Sequence, residues 1–133
     1  MKPITTEKLV EMCDTTAEQF AAASQLLGKT FTDTAWMEAG IQKGFYRAET
    51  LRVNGVARFV LVFHVNDQRV LFVNAAAQLT RASEFDALIQ GVFALAKKYG
   101  CAAIETMTLR AGLLKQLLAH GFKPIGVSVQ CPV

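Results

Sequence analysis

Few groups in this chain could move a proton or attack a carbonyl. Its 133 residues carry two histidines, three cysteines and eleven carboxylates, all scattered. His64 is the best candidate base, because imidazole titrates close to neutrality and needs little tuning to accept a proton. It stands in the run FVLVFHV over residues 59–65, so it belongs to a strand and projects from one of two faces. A lone histidine among valines is more often structural than catalytic. Glu49 and Glu105 fall in other strand-like runs and are the alternatives, although a surface carboxylate or an ion-pair partner is the commoner use of each. Cys101 opens a strand with no base beside it, which gives a nucleophilic role little support.

The second chemical feature is a stretch. Residues 73–100 read VNAAAQLTRASEFDALIQGVFALAKKYG. An apolar strand runs into a polar turn, and the turn opens a long amphipathic helix. Free N–H groups and the positive end of the dipole make such a helix start a ready anion site. The turn holds no glycine, however, and glycine is what lets a backbone approach phosphates closely.

Other elements must position these groups. Residues 2–13 read either as a short strand and turn or as a short helix. Thr15 and Glu18 have the Thr-x-x-Glu form of a capping box, opening a helix through Phe20, Ala23, Leu26 and Leu27 that Gly28 can end. A polar loop follows, and Asp33 or Thr34 can cap a second helix over residues 35–43, closed by Gly44. Three strands come next, at 45–53, 57–65 and 69–74. Asn54-Gly55 is a strong signal for a type I′ hairpin and Asn66-Asp67-Gln68 is a second turn, so the three form an antiparallel meander. Ser83 with Asp86 suits a helix start. Phe85, Leu88, Ile89, Val92, Phe93 and Ala96 then form one apolar helical face. A strand at 101–109 should lie parallel to the third meander strand, by the right-handed crossover rule. A helix at 111–120 and a final strand at 122–133, bracketed by Pro124 and Pro132 and suited to a sheet edge, close the chain.

Composition narrows the classes. The length fits one domain, 1–133, with a core that needs no staple. Hydrophobic residues make up 52% and charged ones 19%, against about 25% charged in an ordinary domain. That excess suggests contacts with a protein partner or a second copy. The net charge of +3 is interleaved, and Lys97-Lys98 is its longest basic cluster, so no nucleic-acid partner is expected. No stretch approaches the roughly 18 apolar residues of a membrane helix, so no membrane partner is expected either. Cys13, Cys101 and Cys131 lack CxxC spacing, which suggests reduced thiols in the cytoplasm. His64 and His120 are too far apart in sequence to support a zinc site.

The element order resembles the GCN5-related N-acetyltransferase (GNAT) superfamily. Residues 114–126, LKQLLAHGFKPIG, look like that family's ending, a helix closed by Gly-Phe and then a strand. Residues 99–104, YGCAAI, look like the usual entry to the preceding strand. More narrowly, Gly100-Cys101, Ile104, Arg110, Gly112 and Gly121-Phe122 are similar to a pattern in short GNAT-like proteins from tailed-phage late regions. The likeness covers residues 45–133. It implies an α+β fold, an antiparallel meander followed by β-α-β-α-β with helices on both faces. It also implies that acetyl-CoA lies along Phe72, Val73 and Asn74 and over a turn containing Gln78, Arg81 and Ser83.

The departures matter as well. The family's pyrophosphate loop is Arg/Gln-x-x-Gly-x-Gly/Ala. Gln78 fills its first position, Arg81 replaces the first glycine and Ser83 the second. Arg81 then either pairs with a phosphate or is a solvated or interface residue. Many relatives use a tyrosine as general acid where this chain has Leu117. His64 and Glu105 remain as candidate catalytic bases, and Trp36 and Phe45 could line an acceptor groove or pack the core. Two functions are therefore expected. The favoured one is a GNAT-fold protein without catalysis, serving phage assembly, the virion or regulation, in the host cytoplasm or the particle. The alternative is an acetyl-CoA-dependent N-acyltransferase acting on a small-molecule amine.

Overall fold

The computed structural model describes residues 9–28, 34–80, 84–107, 111–125 and 128–133. The strands are β1 (Val10–Asp14), β2 (Arg47–Val53), β3 (Val56–Val65), β4 (Val70–Gln78), β5 (Ala103–Thr106), β6 (Lys123–Ile125) and β7 (Ser128–Pro132). The helices are α1 (Ala17–Leu27), α2 (Ala35–Gln42), α3 (Phe85–Lys98) and α4 (Ala111–Ala119). The strands form one mixed sheet in the order β1-β2-β3-β4-β5-β7-β6.

Local chemistry sets the meander. Asn54 and Gly55 take φ of 51° and 80°, the two positive values a type I′ turn needs, and this pins Val53 opposite Val56. At the next turn the Asn66 side chain accepts from the amides of Gln68 and Val70, each at 3.0 Å. The α3 crossover then returns β5 parallel to β4.

Alternation along the strands separates two cores. Leu51, Leu61, Phe63 and Leu71 pack with Val92 and Leu95 of α3 and Leu117 of α4. Val60, Val62, Ala75 and Ala77 pack with Ala23 and Leu27 of α1 and Met37 of α2. Burying each large side chain contributes roughly 1.5–3 kcal/mol. Gly91 lets α3 lie close on β1 and β2, since a Cβ there would run into Leu51.

Residues 10–14 take the strand alternative, pairing antiparallel with β2. Four expectations need correction. The capping box is shifted by one: the Thr16 hydroxyl accepts from Gln19 N at 3.1 Å, and the Gln19 side chain accepts from Thr16 N at 3.0 Å. Thr15 is engaged elsewhere, its hydroxyl lying 3.0 Å from that of Thr50. The strand expected to stop at residue 74 continues to Gln78, since Ala75 and Ala77 are buried beneath α1. The N-cap of α3 is Glu84 rather than Ser83; Ser83 and Arg81 lie outside the described residues. The single closing strand is a hairpin in which β7 sits between β5 and β6, leaving β6 and its Pro124 at the edge.

Candidate functional site

Strands β4 and β5 part company partway along. Their parallel ladder runs Val70–Ala103, Leu71–Ile104, Phe72–Glu105 and Val73–Thr106, and ends there. The Thr106 hydroxyl donates to the Val73 carbonyl at 3.1 Å and closes the apex. The next residue, Asn74, is an extra one. Phe63 pairs with Val73 and Val62 with Ala75, so Asn74 bulges out of register. A bulge sharpens the twist of its strand and re-aims the adjoining side chains. Beyond it, residues 75–78 stay paired with β3, and no strand among the described residues pairs with their other edge. The resulting wedge holds an apolar cavity of about 80 Å³, lined among others by Val73, Ala76, Leu88, Thr106, Leu113 and Leu117.

On the opposite face of the sheet, the same bulge gathers polar and aromatic groups. His64 Nδ1 lies 2.8 Å from Asn74 Oδ1. With that oxygen accepting, Nδ1 carries the proton and Nε2 presents its lone pair. Phe72 stacks on the imidazole at 5.2 Å and 24°. Tyr46 meets its edge at 5.8 Å, and Trp36 meets Tyr46 at 5.6 Å. Gly40 makes this packing possible, because a Cβ there would strike the Tyr46 ring. The imidazole is therefore fixed by one hydrogen bond and two rings, and it is half-buried. It is placed to accept a proton from a group arriving on this face.

The remaining candidates are placed as follows. Glu105 is abreast of Phe72, which is abreast of His64, so its backbone sits two strand spacings, or about 10 Å, from that of His64. It accepts from Gln130 Nε2 at 3.3 Å. Val73 faces away from His64, into the wedge. Gln78 pairs with Phe59 at the far end of β4. Glu49 is buried under α3, held by Tyr99 OH at 2.7 Å and Lys98 Nζ at 3.0 Å, an ion-pair partner as the commoner reading has it. That hydrogen bond raises the Lys98 pKa, with the Glu49 charge adding to it. Burial pushes the Cys101 and Cys131 thiols up, which keeps them protonated and unreactive. Leu117 is buried and lines the wedge with no polar atom to offer. Phe45 is 68% exposed. No group of three or more metal-binding side chains occurs among the described residues, and no helix there is long and apolar enough to cross a membrane.

Sequence reasoning missed Tyr46, the Asn74 bulge and the pairing of Arg58 with Glu84. Asn74 carried the usable signal, as the one polar residue in the run VLFVNAAA.

No sequence-family model matches this chain, and no curated protein matches it by sequence. Solved structures do match its fold. The ribosomal-protein-S18-alanine N-acetyltransferase of Escherichia coli superposes with a TM-score of 0.71 at 14% identity, over 94% of each chain. A Bacillus subtilis acetyltransferase in complex with CoA gives 0.72 at 13% identity, over 96% of this chain and 99% of that one. A GNAT family acetyltransferase from Elizabethkingia anophelis with acetyl-CoA bound gives 0.71 at 10% identity, over 93% and 98%. These superpositions, each covering more than nine-tenths of both chains, show that this chain has the GNAT acetyltransferase fold.

Proposed function

We propose that this protein is an N-acyltransferase that takes its acyl group from a pantetheine thioester, with acetyl-CoA the first candidate. The observation that carries this reading is the wedge at Val73–Thr106, with the His64–Asn74 pair on the sheet face behind it. The wedge offers an apolar slot and a strand edge whose backbone groups match the amides of a pantetheine arm. An amine approaching from the His64 face would attack the thioester carbonyl. The N–C bond forms, the C–S bond breaks, and His64 Nε2 takes the amine proton. Leu117 cannot protonate the departing thiolate, so solvent supplies that proton. Solved structures of this fold with CoA or acetyl-CoA bound support the cofactor. Of the proposed cofactor contacts, Phe72, Val73 and Asn74 fall at the wedge and Gln78 at the far end of β4, while Arg81 and Ser83 lie outside the described residues.

Acetyl-CoA should raise the unfolding temperature of the folded protein, since a ligand bound only to the native state stabilises it in proportion to RT ln(1 + [L]/Kd). No shift at millimolar acetyl-CoA would rule the reading out.

A second reading is a GNAT-fold component without catalysis, a phage assembly, virion or regulatory protein that works through a protein partner or its own copies. Exposed Phe45, Met107, Leu118 and Ile125 favour it, as do the carboxylates of Glu84 and Asp86 at the start of α3. Sedimentation tests it, and a strictly monomeric protein with no co-purifying partner would remove it.

A further inference from the structure

The start of α3 is supplied with charge by the chain itself. Glu84 is the N-cap, yet its side chain makes no capping hydrogen bond. It lies instead against Arg58 of β3, with Oε1 3.4 Å from Nε. The Glu84 side chain is only 8% exposed, and neither its Oε2 nor Arg58 Nε has a hydrogen-bond partner. Arg58 Nη1 donates to Thr80 Oγ1 at 3.0 Å, just past the end of β4. A second cation among the described residues here is His120, just past α4, whose Nε2 lies 3.0 Å from Asp86 Oδ1 while Nδ1 lies 2.8 Å from the Gln116 carbonyl. Both are acceptors, so the ring is an imidazolium while both bonds hold.

Among the described residues, Arg58 and His120 beside the helix start are thus each neutralised by a carboxylate from the beginning of α3. A helix N-terminus draws anions, and here an internal one already sits there. The Arg58–Glu84 pair is also poorly made, since Arg58 Nε and Glu84 Oε2 are buried without a hydrogen bond, which leaves the desolvation of those two atoms uncompensated. Such a pair is readily exchanged for a better one, and a phosphate fits a guanidinium better than this carboxylate does.

We infer that Glu84 occupies the anion position at the start of α3 and competes with the phosphates of a thioester donor for Arg58. The chain then selects donors by their pantetheine arm and gains little from the diphosphate of CoA. The inference rests on the N-acyltransferase reading, and it assigns Glu84 and Arg58 as specificity-determining residues for the donor.

Calorimetric titration of the full chain, of Glu84→Gln and of Glu84→Ser with acetyl-CoA, S-acetylpantetheine and inorganic diphosphate tests it. Serine is a better N-cap than glutamate, which guards that variant against misfolding. The unaltered chain should bind acetyl-CoA and S-acetylpantetheine within about threefold of each other. Both variants should bind acetyl-CoA and diphosphate about tenfold tighter, the effect of freeing one charge-assisted pair, with S-acetylpantetheine unchanged. Adding Arg58→Gln should erase that gain. Folded variants with no gain for diphosphate would overturn the inference, and so would an unaltered chain that prefers acetyl-CoA to S-acetylpantetheine by a hundredfold. If diphosphate binding rises but no thioester binds any form, the anion assignment holds and the acyltransferase reading fails. If thioesters bind but the Glu84 changes do nothing, the reverse is true.

Discussion

The two ends of the wedge differ in what they retain. At the apex, β4 leaves β5 at Val73–Thr106, and a bulge at Asn74 turns that departure into an apolar slot backed by a fixed imidazole. At the mouth, the start of α3 has Glu84 buried against Arg58 and Asp86 paired with His120. One end offers an apolar slot, and the other has its described positive groups satisfied internally. Under the acyltransferase reading, the fold keeps the geometry of its reaction centre while replacing its means of gripping charge. The two depend on different interactions: strand register and packing at the apex, ion pairing at the mouth.

Breaking the apex should have the largest effect. Under the acyltransferase reading, His64→Gln removes the base and should lower kcat by about a hundredfold or more, with donor binding unchanged. An equal loss of donor affinity would show that His64 packs the slot rather than takes the proton. Ala76→Phe should block the cavity from its exposed edge, with thioester binding lost while diphosphate binding to Glu84→Ser persists. Loss of both in a folded protein would mean that the two ends are not separate. Asn74→Ala removes the bond that orients the imidazole, worth about 1 kcal/mol or about fivefold in kcat, and its effect should vanish in a His64→Gln background.

The mouth supplies the smallest expected effect, read as a pH dependence. The backbone hydrogen bond to Gln116, and then the one to Asp86, raise the His120 pKa above 6.5. Its contribution to stability is therefore complete below pH 6.5 and is lost as pH climbs through the folded-state value. Imidazole resonances should titrate above 6.5, and Asp86→Asn should move them down. Because Asp86 is 93% exposed, solvent and salt should keep the change in stability small.

Much of the frame was readable in the sequence, for physical reasons. The Asn54-Gly55 turn, the apolar face of α3 and the parallel return of β5 each follow from a residue-level rule that tertiary packing did not oppose. The details of the site were harder to read. Ala75-Ala76-Ala77 has poor strand propensity, and it is a strand because small side chains let α1 sit against it. The Asn74 bulge depends on the count of residues facing β3, which alternation along β4 alone does not reveal. The capping box moved by one because Thr15 was already engaged with Thr50. The closing hairpin was hidden by an unbroken apolar alternation over residues 127–133, with Gly126 as its only turn signal. His64 was named from its chemistry, while its partners Asn74 and Tyr46 follow from the register of strands distant in sequence.

The central claim is that the β4–β5 wedge receives the acyl arm. Two-dimensional amide spectra recorded while S-acetylpantetheine is added test it most directly. The expected result is a set of shifts confined to residues 72–78 and 104–106, with the His64 imidazole perturbed and the first turn of α3 unmoved. Shifts confined to other surfaces, or none at saturating ligand, would contradict it.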